Sequence, residues 1–271
     1  MALIMKTASI ILAAGRGSRM KGYTGNKTLL PLLPGSSCYE GRHPILMNIL
    51  ANLPTGPRAL VVNHRKDEVI RATRDLDLAY HEQPELNGTG GALIAAFPFL
   101  ETRKYDRLIV TMGDVPFVRR DTYLDLVGDL KDHALMVLGF RPKSRKQYGL
   151  LETRGDQVER ITEWKYWRKY PEKRLRNLSI CNSGIYAADR EAILSYLPVL
   201  ASRPHMVEKV VQGRPGRVKE YFITDLIEYM RNDGLSVGYI VAHDEEEVMG
   251  IDDPDALKRA QEIYRLGRIE R

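Results

Sequence analysis

The stretch "SIILAAGRGSRMKG", Ser9 to Gly22, decides how the fold is read. Ala8 to Leu12 has the composition of a buried strand, and it runs straight into small residues, Ala13, Ala14 and Gly15, that let a ligand approach the backbone. Arg16 and Arg19 follow. Successive N–H groups in such a turn form an anion-binding concavity, and a helix start beyond it adds partial positive charge. An ordinary strand-to-helix turn with solvated arginines is the competing reading. Two familiar phosphate loops are excluded by spacing. Gly17 and Gly22 stand as in a P-loop, but Tyr23 and Thr24 follow where Lys and Ser or Thr are required. A dinucleotide fingerprint needs a third glycine where Met20 stands.

Outward from this loop, β-rich runs alternate with helical stretches. "ALVVNH" (Ala59 to His64) precedes "KDEVIRATRDL", and "LAYHEQ" precedes "TGGALIAAFPFL", after which comes "RLIVTMGDVPF". This alternation predicts an α/β fold, a mixed and mostly parallel sheet with helices on both faces. Ligands of such sheets bind outside the carboxyl ends of the strands, so the loops after Leu12, Glu82 and Thr111 should converge. Past Phe140 the strands have longer connections and include a basic aromatic segment, Trp164 to Asn177. A helical stretch around "YFITDLIEYMRNDG", a strand "VGYIVAH", an acidic loop and a helix from Pro254 close the chain. Ala256, Leu257, Ala260, Ile263 and Tyr264 share one face of that last helix.

The composition bounds the function. With 271 residues, 44% hydrophobic and 28% charged, the chain can bury a sizeable core. No apolar run approaches the roughly 20 residues of a membrane span. Lys6 splits the leading run "MALIMKTASIILAAG", which reads as a first strand, not a signal peptide. Cys38 and Cys181 stand far apart without a C-x-x-C partner, which fits a cytoplasmic protein and gives no zinc site. The six histidines form no metal-binding pair, and the net charge of +6 favours anionic partners.

Three loops carry the chemistry. Asp114 follows a strand behind Gly113, where a carboxylate suits Mg2+, which takes one or two protein carboxylates and fills its shell with water and phosphate oxygens. In "VMGIDDPDAL", Pro254 suits a first helical turn, so Asp253 is the expected N-cap. Asp252 is then free to meet Asp114 across a metal, or simply extends the acidic run Asp244 to Glu247. Gln83 precedes a turn with Asn87, Gly88, Gly90 and Gly91, where a side-chain amide and open backbone suit a nucleobase edge. That turn also reads as a plain helix start.

In order along the chain, "LAAGRGSRM", Lys27, "EQPELNGTGGAL", "GDVP", "YG", "ITEWK", "NSGIY", "EYFITD" and "VMGID" resemble the sugar-1-phosphate nucleotidyltransferases. The likeness is greatest to the pyrophosphorylase domain of bifunctional N-acetylglucosamine-1-phosphate uridylyltransferases, and it covers nearly the whole chain. "NKTLLPL" is also similar to hexose-1-phosphate thymidylyl- and uridylyltransferases. The resemblance implies a Rossmann-like nucleotidyltransferase fold in one domain over 1–271. Residues 1–140 would serve mainly the nucleotide and 141–230 the sugar phosphate, with 231–271 adding a closing strand, metal loop and C-terminal helix. It implies that Leu12, Ala13, Ala14, Gly15, Gly17 and Gly113 line the nucleotide. Arg19 and Lys27 would be the catalytic cations on its phosphates, and Gln83, Gly88 and Thr89 would read the base. Gly149, Glu163, Asn182 and Thr224 match sugar-phosphate positions, and Asp114 and Asp252 match the Mg2+ ligands. Asp252 stands where the family usually has asparagine. Met112 and Phe222 replace tyrosines, which bears on the sugar more than on the reaction. The chain ends before any hexapeptide β-helix, so no acetyltransferase activity is expected, and the insertion Leu33 to His43 has no assigned role.

The implied reaction joins a nucleoside triphosphate and a sugar 1-phosphate and releases pyrophosphate. Its nucleophile, a phosphate monoester with a second pKa of about 6, is already ionised at neutral pH, so no general base is needed. Positioning and charge compensation suffice. Two rivals stand beside this expectation. One is a single-stranded RNA-binding surface on Trp164 to Asn177, against which a solvated hairpin beside the sugar site is the simpler expectation. The other is a nucleotide-sugar sensor without turnover.

Overall fold

The computed structural model describes residues 5–211 and 214–269. Met1 to Ile4, the start of the leading apolar run, lie outside the described residues. In chain order the strands are β1 (Thr7–Leu12), β2 (Pro31–Pro34), β3 (Gly41–Pro44), β4 (Arg58–Val62), β5 (Ala79–Glu82), β6 (Arg107–Met112), β7 (Leu135–Phe140), β8 (Leu150–Arg154), β9 (Gln157–Thr162), β10 (Cys181–Asp189), β11 (His205–Val211), β12 (Arg214–Glu220) and β13 (Val237–Val241). The α-helices are α1 (Ile45–Asn52), α2 (Lys66–Thr73), α3 (Thr89–Ala95), α4 (Phe97–Thr102), α5 (Arg120–Gly128), α6 (Trp164–Trp167), α7 (Glu172–Leu175), α8 (Arg190–Ser202), α9 (Asp225–Asn232) and α10 (Pro254–Ile269).

Nine strands form one sheet in the order β5-β4-β1-β6-β10-β7-β13-β9-β8. β5, β4, β1 and β6 are parallel, and β10 runs against both β6 and β7. The expected mixed sheet is therefore present, parallel from β5 to β6 and between β7 and β13, and antiparallel in its other pairings. Alternation along the central strands explains its two covered faces. Ile11, Leu60 and Ile109 face one core with α1, α5 and α10, while Ile10, Val61 and Val110 face a second core with α3, α8 and α9. Each such fully buried side chain contributes roughly 1.5–3 kcal/mol, and period-two alternation is how one strand supplies two layers.

The run "TGGALIAAFPFL" forms two short helices because Pro98 has no N–H to continue the first. The segment Trp164 to Asn177 is a correction in one respect: it is not a hairpin but the two short helices α6 and α7, while most of its residues are solvent-exposed as expected. Its Trp167 is buried and donates its indole N–H to the Tyr148 carbonyl at 2.8 Å. Several of its cations are engaged within the protein. Arg168 lies over the Trp164 ring, and Arg174 lies over Tyr170 and pairs with Glu152 at 2.8 Å. The insertion after Leu33 belongs to the β2–β3 hairpin, which packs on α10. Gln261 donates to the carbonyls of Pro31 and Cys38, and His43 stacks on Tyr264. Among the described residues, no helix is long and apolar enough to cross a membrane.

Candidate functional site

At the carboxyl ends of β1, β5 and β6 the three expected loops meet around a cavity of about 300 Å3. Leu12, Ala13, Ala14, Gly15, Lys27, Gln83, Gly88, Thr89, Gly113 and Asp114 all line it. Gly17 and Arg19 instead line an adjoining cleft of about 370 Å3, together with Lys27, Asp114 and Asp252. Gly88 could not be replaced by a larger residue: its φ is +95°, and a Cβ there would lie 2.4 Å from the Tyr221 carbonyl oxygen. This turn opens α3.

The orientation of Gln83 follows from its partners. Its side-chain N–H groups donate to Asn87 Oδ1 at 2.9 Å and to the Gly88 carbonyl at 3.0 Å. With both donors engaged in a buried side chain, the amide oxygen is the group left available, and it can only accept a hydrogen bond.

Lys27 sits on a one-turn helix built by Asn26. The buried Asn26 side chain accepts from the Thr28 N–H and hydroxyl and donates to the His64 carbonyl. This presents the Lys27 ammonium to Asp114 at 2.5 Å and to Asp252 at 3.2 Å, while Arg19 reaches Asp252 at 3.0 Å. Burial alone would lower the Lys27 pKa, but the two carboxylates overcome this and hold it above the ordinary lysine value. The ammonium is thus charged at neutral pH. The carboxylates converge on one cation with hard oxygen donors, and no third His, Cys, Asp or Glu joins them among the described residues. That donor set fits Mg2+, whose other positions are left for phosphate and water. Asp253 is the N-cap of α10, accepting from the Ala256 N–H at 2.8 Å, which leaves Asp252 to the cleft as expected.

A third cavity, of about 510 Å3, continues past Thr89 and Met112. Gly149, Glu163, Asn182 and Thr224 all line it, beside Tyr148, Lys165, Ser183 and Phe222. A bulge in β10 between Asn182 and Ile185 lies at this cavity, and Asn182 is anchored by donating to the Tyr186 hydroxyl and accepting from the Gly184 N–H. Burial pushes the Glu163 carboxyl up, against the nearby charge of Lys165. Met112 lines all three cavities. The motifs pointed to the strand-end loops but missed Asn26 and Ser183, whose signals are single polar residues beside a lysine and a glycine.

Residues 9–180 match the MobA-like NTP transferase domain. The bifunctional protein GlmU of Cereibacter sphaeroides is 33% identical over 262 residues, 94% of this chain and 52% of that protein. The chain spans about half the length of the curated relatives it matches. Among solved structures, a Bacillus anthracis protein named as a glucose-1-phosphate thymidylyltransferase superposes with a TM-score of 0.67 at 21% identity, covering 96% of this chain and 95% of that one. A nucleotidyl transferase from Methanothermobacter thermautotroptrophicus gives 0.60 at 18% identity, with 97% and 99% covered. These two likenesses concern the fold.

Proposed function

Because the chain belongs to the MobA-like NTP transferase family, we propose that it transfers a uridylyl group from UTP to a sugar 1-phosphate and releases pyrophosphate. N-acetylglucosamine 1-phosphate and glucose 1-phosphate are the leading acceptors. The observation that carries this is the junction at Met112 of the cavity of about 300 Å3 with that of about 510 Å3, with Lys27, Asp114 and Asp252 beside that junction.

In this mechanism the Gln83 amide oxygen accepts the imide N–H of uracil, and the backbone from Leu12 to Gly15 and at Gly113 lines the nucleotide. Gly149, Glu163, Asn182 and Thr224 orient the sugar phosphate so that one of its oxygens lies in line with the α-phosphorus. Lys27 and Arg19 offset the charge that builds between two polyanions. Asp114 and Asp252 would hold Mg2+, which neutralises phosphate charge when bound. In this reading residues 1–140 serve mainly the nucleotide and 141–230 mainly the sugar phosphate.

Asp252 and Asp253 separate metal binding from folding. Asp253→Ala is expected to cost about 1 kcal/mol in a urea melt, as a lost helix cap does, with kcat nearly unchanged. Asp252→Ala should raise the Mg2+ concentration needed for half activation with little change in Tm, and Asp252→Asn should keep measurable turnover. Full activity of Asp252→Ala at limiting Mg2+ would remove it from the metal site.

A pyrophosphate-release screen of nucleoside triphosphates against sugar 1-phosphates, run with Mg2+, tests the assignment. UTP with an amino-sugar or glucose 1-phosphate should give the highest rate. Robust turnover with CTP or GTP and none with UTP would overturn the base assignment, and no release with any pair would favour a sensor.

A further inference from the structure

We propose that Glu247 is a positioning residue of this site, clamping the loop that carries Asp252 to the loop that carries Asp114 so that the two carboxylates face each other. The inference rests on the metal role proposed above. In the sequence Glu247 belongs to a run of acidic residues, but its side chain is 2% exposed where that of Glu246 is 47% exposed. A carboxylate taken out of water must be hydrogen-bonded on both oxygens or it destabilises the fold. Glu247 achieves this with donors drawn from two parts of the chain. Its Oε1 accepts from the Arg119 backbone N–H at 3.1 Å and from the Thr122 hydroxyl. Its Oε2 accepts from the Arg119 guanidinium at 3.1 Å and from the His243 N–H at 3.4 Å.

The Arg119 and Thr122 donors lie at the start of α5, just after the loop from Gly113 to Val118. Glu247 itself is held in a tight turn, where Asp244 Oδ1 accepts from the Glu246 and Glu247 N–H groups at 2.9 and 3.0 Å. Beyond it, Val248 and Ile251 are buried, and the Ile251 N–H donates to the Asp114 carbonyl at 2.9 Å. Asp252 is the next residue. The two loops are therefore tied twice, once through the Glu247 carboxylate and once through the backbone between Ile251 and Asp114. Glu247 lines none of the three cavities of the site, so it acts on substrates only through the two loops it ties. Groups behind a metal ligand that fix its direction typically govern affinity strongly.

Glu247→Gln tests the clamp, since it keeps the size and leaves an oxygen for the Arg119 N–H and Thr122 hydroxyl but sets an amide N–H against the guanidinium. Amide hydrogen exchange at Ile251 should quicken while that of β1 stays at its wild-type rate. Mn2+ affinity, read by electron paramagnetic resonance with UTP present, should weaken by about 10-fold, and UTP binding without metal should hold within about twofold. Should Glu247→Gln fail to fold, Arg119→Lys loosens the same clamp and leaves the backbone and Thr122 donors in place. Unchanged Ile251 exchange in a folded variant would overturn the clamp whatever the metal does. Faster exchange in the variant, with no Mn2+ bound by the wild type, would uphold the clamp and overturn the metal reading beneath it.

Discussion

Lys27→Ala should lower kcat/KM by about 10²–10³-fold, the range seen when one preorganised donor to developing charge is removed. The expectation follows from where the ammonium stands. It is 11% exposed, fixed by the Asn26-built turn, and it lines both the nucleotide cavity and the adjoining cleft. The fold should survive with a lowered thermal midpoint, because Asp114 and Asp252 lose the cation between them but, 18% and 41% exposed, keep access to water, and Arg19 still pairs with Asp252. Lys27→Met, which restores the apolar stem without the charge, should be as inactive as Lys27→Ala. Steady-state kinetics with a thermal melt check both statements, and a kcat/KM within a few-fold of wild type would take Lys27 out of the mechanism.

Asp114→Asn should be at least as damaging, with a loss of about 100-fold or more, since even outer partners of a metal ligand are worth up to that amount. The substitution keeps shape and hydrogen bonding, so the fold should survive; the Ile251 N–H is bonded to the backbone carbonyl of Asp114 and not to its side chain. Excess Mg2+ should restore only part of the rate, whereas it should restore more in Asp252→Ala, whose carboxylate is the more exposed of the pair. A Mg2+ activation curve for each variant separates the two, and equal recovery would argue that neither aspartate is the principal ligand.

The strand-end loops were legible in the sequence because each combines an apolar run with residues that such a position requires. The small residues Ala13 to Gly15, the glycine before Asp114 and the turn after Gln83 are constrained by backbone approach, and that constraint shows in single letters. The capping role of Asp253 was legible for the same reason, since Pro254 marks the first turn of α10. The residues from Gly149 to Thr224, separated by 75 positions, carry no local pattern of this kind and were reached only through resemblance to a family. The structure brings them to one cavity.

What local patterning hid was set by tertiary contacts. The mix of aromatic and basic residues in Trp164 to Asn177 is mostly solvent-exposed, as it reads, but it does not reveal that Trp167 is buried or that Arg174 and Tyr170 join Arg160 and Thr162 around Glu152 and hold its carboxyl at a pKa of about 2. Burial acts on that group in the opposite direction, and these hydrogen bonds outweigh it. Glu247 was hidden likewise, because nothing in a run of acidic residues reveals which one turns inward.

The most direct measurement follows oxygen from substrate to product. With N-acetylglucosamine 1-phosphate or glucose 1-phosphate labelled with 18O on its phosphate, UTP and Mg2+, mass spectrometry should find all of the label in the nucleotide sugar and none in the pyrophosphate, as attack by the sugar phosphate on the α-phosphorus requires. Label in the pyrophosphate, or binding of both substrates with no product, would contradict uridylyl transfer at this site.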